Sequence, residues 1–415
     1  MATRTAAAGA LMTCAALLAA TGCSSSFGDS AGGEQDTGDK QRLTVLIATS
    51  GDAETSSVKK AVAAYEKKSG HTVTVEIAKD INQQLAQSFA GGNPPDVFYV
   101  DSSQFANYAG AGSLYPYGDK IKDADAFSEQ LRTSFTHDGE LVCLPKDAST
   151  LALAVNTRLW KKAGLTEKDY PTTWKELETV AGKLTGDGVT GLVTSDEYQR
   201  LGVFMKQAGG WITDEGQTRM TADTPENAEG LGFVRSLLRS GSMKYAKQTD
   251  TSWGGEAFGK EKAAMTIEGN WLAGAMKHDY PDVGYEVVPL PEGPAGKGSL
   301  AFSNCWGVAA KSSHQAAAVD LVEHLTSAEQ QLTFADAFGV MPSRTAALED
   351  YAEAAPEARA WAEATAYAQG PVTVAGFEKV ATQFNTDLQS LRTTDPEKIL
   401  AALQRNGEQA LKKGN

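Results

Sequence analysis

The sequence predicts an α/β protein of two lobes, each a mostly parallel sheet flanked by helices. Three observations lead there. The chain has 415 residues, more than one ordinary hydrophobic core organises. Its folded part opens with a β-α-β-α-β order, which calls for parallel strands covered by crossover helices. Short apolar runs and capped helix starts then alternate through the remainder.

The opening order reads residue by residue. Residues 43–49 are an apolar, β-rich run. Val58, Ala61, Val62 and Tyr65 then recur at helical spacing, and Gly70 stops the helix. Residues 71–78 alternate, with Val73, Val75 and Ile77 on one face. A second helix covers about 82–89 and a strand covers 96–101. Further on, Thr173-Trp174-Lys175-Glu176 is a capping box, in which the Thr hydroxyl takes one orphan amide and the Glu reaches back for another. Thr224-Pro225 sets a cap before a Pro at the first helical position. Residues 263–267, 285–290 and 306–310 read as strands, and 289–298 as a Pro/Gly-rich loop. Ala318, Leu321, Val322 and Leu325 mark an amphipathic helix, and another starts near Ser327. From about Ala352 the pattern is helical throughout.

The first residues belong to targeting. After Arg4 comes an Ala/Leu-rich run, about 6–20, too short to span a bilayer and fitting a signal-peptide core. It ends Leu18-Ala19-Ala20-Thr21-Gly22-Cys23, similar to a bacterial lipobox but with Ala20 where Leu is usual. Residues 1–23 are thus expected to be a lipoprotein signal peptide with Cys23 acylated. Residues 24–42, rich in Ser, Gly and Asp, would be a flexible tether. The formal net charge of −14 argues against nucleic acid and anionic surfaces as partners. The His and Cys spacings give no metal pattern, and no catalytic motif stands out, neither a Gly-Xaa-Ser-Xaa-Gly elbow nor a phosphate loop.

A series of short segments carries a family resemblance. In order they are Gly92-Asn93-Pro94-Pro95-Asp96-Val97, Ala111-Gly112-Ser113-Leu114, Leu144-Pro145-Lys146-Asp147 with Val155-Asn156, and Pro171-Thr172-Thr173-Trp174-Lys175-Glu176-Leu177. Then come Phe258-Gly259-Lys260-Glu261-Lys262-Ala263-Ala264-Met265, Gly269-Asn270-Trp271, Pro289-Leu290-Pro291, the run from Leu325 to Gln331, and Gly339-Val340-Met341-Pro342. Along nearly its whole mature length the chain resembles the extracellular solute-binding proteins of family 1, the maltose-binding type. The resemblance implies a type II-like periplasmic-binding-protein fold with a ligand cleft between lobes. It places lobe 1 at 43–147 plus 306–348 and lobe 2 at 149–300 plus 352–415. It implies a monomer outside the cytoplasm, held to the membrane by lipid only, that passes an oligosaccharide, of α-glucan or maltose type, to the permease of an ABC importer, with no cofactor and no catalysis. A non-sugar solute and a secreted glycosidase-like enzyme are the competing readings.

A sugar presents hydroxyls at its edge and C–H groups on its faces, so its site needs carboxylates, amides and flat aromatic rings. At positions matching the family, Trp271 would stack on a ring; otherwise it packs in the core. Asp147 would accept hydroxyls or join a hinge salt bridge. Asp101, at a strand's carboxyl end, would bind ligand or cap the next helix. Ser50-Gly51-Asp52 resembles a sugar-contacting segment whose following Lys is Ala53 here; Asp52 and Glu54 lie in it, Glu54 with capping as its other role. Phe377 stands where the family presents a late Trp, with core packing as its competing role. Asn304, Trp306, Trp253 and Arg344 complete the candidates, Arg344 being otherwise a solvated cation. The family fold also brings Cys143 and Cys305 near each other at the hinge, so that a disulfide is expected within one lobe.

Overall fold

The structure, a computed structural model, describes residues 40–48 and 51–414. The expected signal peptide, Cys23 and most of the tether lie outside these residues. The strands in chain order are β1 (Arg42–Ile47), β2 (Thr72–Ile77), β3 (Val97–Asp101), the short pair β4 (Thr136–His137) and β5 (Glu140–Leu141), and β6 (Leu144–Pro145). They continue with β7 (Ser149–Asn156), β8 (Thr190–Thr194), β9 (Met243–Tyr245), β10 (Ala263–Gly269), β11 (Tyr285–Val288), β12 (Ser299–Phe302), β13 (Asn304–Val308) and β14 (Ala368–Gln369).

Two large sheets result. The first has the order β2-β1-β3-β13-β6. β1 pairs in parallel with β2 and β3, as the β-α-β start requires, whereas β13 is antiparallel to both β3 and β6. The second has the order β14-β12-β7-β10-β8-β9, with β11 also on β7. In it β8 is parallel to β9 and β10, but β7 is antiparallel to β10, β11 and β12. The sheets are therefore mixed rather than mostly parallel. The strands that pass between sheets, β7 and β13, enter without a crossover helix and so run against their neighbours.

Local chemistry explains the element ends. Gly70 closes the helix Asp52–Ser69 at φ 77°, where its missing Cβ avoids the left-handed penalty. Thr173 and Glu176 make the reciprocal capping box of the helix Trp174–Leu184. Thr224 caps Pro225–Ser240, and Ser327 caps Ala328–Phe338. β4 and β5 join through Asp138-Gly139, both at positive φ, the two-residue turn whose twist suits a hairpin. The C-terminal region is less uniformly helical than its pattern: the short strand β14 docks beside β12 between the helices Arg359–Ala364 and Phe377–Leu388.

Two cores lie beneath the sheets. One gathers apolar residues from 43–144 and 305–334, including Phe98, Phe105 and Trp306. The other gathers 151–300 and 372–403, including Phe204, Leu237 and Phe384. A third cluster, with Leu131, Ala148, Met341 and Trp361, packs between segments that serve both.

Candidate functional site

The chain passes between the sheets in very short steps. β12 ends at Phe302 in the second sheet and β13 begins at Asn304 in the first, so Ser303 alone makes that crossing. Lys146–Asp147–Ala148 link β6 of the first sheet to β7 of the second. The two crossings are tied together, since the Ser303 hydroxyl donates to the Asp147 carbonyl at 2.7 Å. A third segment joins them through reciprocal bonds between the Ala148 and Met341 backbones. The two crossings and this segment lie side by side, and each sheet has one edge beside them.

On the first sheet, that edge holds the carboxyl ends of β1 and β3 and the start of β13. Asp101 pairs directly with Asn304 there. Asp101 is exposed and accepts from the Ser103 amide at 2.8 Å, capping the helix Ser102–Gly110 while remaining open to solvent. Asp52, also exposed, begins the helix after β1. Behind them lies a buried ionic cluster. The Lys146 ammonium sits 3.1 Å from Glu54 and 2.5 Å from Asp147, over the Tyr99 ring. The Tyr99 hydroxyl donates to Glu54 at 3.1 Å. Burial alone would favour neutral Lys146, but Asp147, Tyr99 and Glu54 outweigh it and hold its pKa above the usual range. Asp147 thus sits in a salt bridge with Lys146, and Glu54, inside the first helical turn, is a further ion-pair partner of Lys146.

On the second sheet, the edge beside the crossings holds the ends of β8, β10 and β12. Trp271 follows β10 and stays half-buried, meeting Phe302 edge-on at 5.5 Å. Its indole N–H donates to Glu268 at 3.1 Å. The Glu268 side chain is 0% exposed and also accepts from Arg200, whose guanidinium lies over the Trp271 ring, 5.0 Å from its centroid. Desolvation pushes the Glu268 carboxyl up in pKa, against the pull of Arg200. Trp253 is half-buried, its ring folded over Gly255, where a Cβ would approach within 2.1 Å.

Three expected contacts are placed elsewhere. Trp306 is wholly buried, because β13 is an inner strand; its ring meets Tyr99 at 4.6 Å. Phe377 shares the inward stripe of its helix with Val380, Ala381, Phe384 and Leu388. Arg344 is neither solvated nor free: it donates to the Thr326 carbonyl at 2.6 Å, pairs with Asp123 at 2.5 Å and covers the Phe127 ring. Tyr99, Lys146, Glu268, Arg200 and Phe302 contact the candidate residues and are not among the candidates read from sequence. Two of them carry a signal: Lys146 in the Leu144–Asp147 motif and Glu268, a carboxylate at the end of an apolar strand.

Cys143 and Cys305 form a disulfide with Cα atoms 5.7 Å apart. It joins the approach to β6 with β13, two strands of one sheet. Among the described residues, no group of three or more His, Cys, Asp and Glu is placed to hold a metal.

Residues 60–385 match the model of a family described as bacterial extracellular solute-binding protein. The diacetylchitobiose binding protein DasA of Streptomyces coelicolor is 26% identical over 295 residues, 68% of either chain. The cyclic alpha-maltosyl-1,6-maltose binding protein of Arthrobacter globiformis superposes with a TM-score of 0.79 at 22% identity, covering 90% of this chain and 100% of that one. The GacH receptor of Streptomyces glaucescens, studied unliganded and with acarbose, gives a TM-score of 0.77 at 24% identity, covering 90% and 99%.

Proposed function

The chain belongs to the bacterial extracellular solute-binding proteins, and from that premise we propose that its cleft takes up an oligosaccharide for delivery to an ABC importer. The observation that carries this reading is the pairing of chemistries on the two sheet edges beside the crossings. Trp271 and Phe302 offer flat apolar surface for sugar faces, while Asp101, Asp52 and Asn304 offer acceptors and an amide for hydroxyls. The sugars that related proteins bind, diacetylchitobiose and cyclic alpha-maltosyl-1,6-maltose, favour the same ligand class. Lobe 1 is proposed at 43–147 plus 306–348 and lobe 2 at 149–300 plus 352–415.

The protein acts by binding and closing, without chemistry. Lys146 bridges the buried carboxylates Glu54 and Asp147, and Arg200 pairs with Glu268, so each of these carboxylates is engaged in an ion pair. The monomer sits outside the cytoplasm, tethered by lipid on Cys23. Thermal shift with maltotriose, diacetylchitobiose and arabinotriose, with product analysis alongside, tests the reading. A sugar well above its Kd raises the melting temperature and is recovered intact. No shift with any sugar, or cleavage of one, contradicts it.

A further inference from the structure

Trp271 is partly buried against the second core, and its indole N–H is held in addition by an ion pair. A single Glu268 oxygen, Oε2, accepts from the Trp271 indole N–H at 3.1 Å and from Arg200 Nε at 3.0 Å, with Arg200 Nη2 in ion-pair contact at 2.9 Å. The Arg200 side chain is only 13% exposed and spans both aromatic groups, its guanidinium carbon 5.0 Å from the Trp271 centroid and 5.9 Å from that of Phe302. Nη1 is anchored in turn to the Gln199 carbonyl at 3.3 Å. The Glu268 backbone is pinned from behind by the Trp361 indole, which donates to its carbonyl at 3.0 Å. Gly269 leaves the space the Trp271 ring occupies, since a Cβ there would lie 2.2 Å from it.

We propose that Arg200 is a positioning residue for ligand stacking: it covers one face of the Trp271 indole, fixes the ring through Glu268, and so leaves a single face on which a sugar can stack. This rests on the carbohydrate reading for its consequence but not for its geometry. An indole held only at its N–H edge can pivot about that bond. A guanidinium over its face removes the pivot and is attracted by the ring quadrupole. The ring is therefore set before ligand arrives, and the ligand does not bear the entropy of ordering it.

Arg200→Met alone strands a buried carboxylate and threatens the fold. The decisive variant is Arg200→Met combined with Glu268→Gln, which removes both charges, keeps an acceptor for the indole and keeps the volume. Arg200→Lys is its companion, retaining charge without the planar fork. Two readouts are used. The first is hydrogen exchange of the Trp271 indole N–H in the unliganded protein, assigned by its loss in Trp271→Phe. The second is the Kd for maltotriose and diacetylchitobiose by calorimetry. With circular dichroism unchanged, the double variant is expected to exchange the indole proton at least about tenfold faster and to bind the better probe about tenfold more weakly, with Arg200→Lys between it and wild type. Unchanged exchange in the folded double variant overturns the positioning role even if no sugar binds the wild type. Faster exchange with unchanged Kd overturns its link to binding. Failure of wild type to bind either probe counts against the carbohydrate reading instead.

Discussion

Removing the Cys143–Cys305 disulfide should lower stability without changing ligand affinity. The bonded residues are 162 positions apart, and closing so long a loop in the unfolded chain costs about 5 kcal/mol of conformational entropy at 25 °C in the loop-closure model. That is the upper end of what native disulfides deliver, so Cys143→Ala/Cys305→Ala is expected to lose about 2–5 kcal/mol. For a chain of this size the unfolding entropy is about 0.8 kcal/mol/K, which turns the loss into a drop of about 3–6 °C in melting temperature. Both sulfurs belong to one sheet, so lobe closure does not stretch the bond, and the Kd of any sugar that binds should stay within about twofold. Differential scanning calorimetry gives the first number and titration calorimetry the second. The reasoning is refuted if the double variant melts within about a degree of wild type, or if both thiols label in the unfolded, unreduced protein.

Two further outcomes follow from the hinge and the rim. Lys146→Met should destabilise by about 3–5 kcal/mol, because Glu54 and Asp147 would keep buried charge with no cation; a urea midpoint near that of wild type would mean the cluster is far better hydrated than its burial implies. Glu378, in the helix Phe377–Leu388, accepts from Gln104 at 3.0 Å and Asn107 at 2.9 Å of the opposite core's helix, and Asn107 also accepts from the Gly376 amide. Glu378→Ala should lower the melting temperature of the unliganded protein by about 2–4 °C, since bonds to an ionised acceptor are worth about 1.5–3 kcal/mol and these join the two cores; an unchanged melting temperature in the variant would show that this contact contributes nothing to the fold.

The parts of the fold legible in the sequence are those written in local chemistry. The first β-α-β-α-β units, the Thr173 and Thr224 caps and the Gly70 stop need only neighbours a few residues away. The mixed sheets were not legible, because the reversal of β7 and β13 follows from crossings whose partners lie more than a hundred residues off. At the site, Trp271 after its Gly and Asp101 at a strand end could be read from position. Trp306 and Phe377 look the same in sequence as Trp271 does, an aromatic near a strand or helix start, and only the placement of β13 inside its sheet and of Phe377 on an inward helical stripe separates them. Lys146 looked like a motif residue, and Arg200 stood in no motif. Their roles depend on carboxylates brought to them by the fold.

The most direct test of the central claim is titration calorimetry of maltotriose and diacetylchitobiose against wild type and Trp271→Ala. If the cleft binds sugar on the half-exposed indole, wild type binds at least one of them, and the folded variant loses about 2–3 kcal/mol, or 30- to 150-fold in Kd, as expected for an aromatic side chain that carries a binding contact. Equal Kd values for the two proteins would return Trp271 to the core and contradict the account.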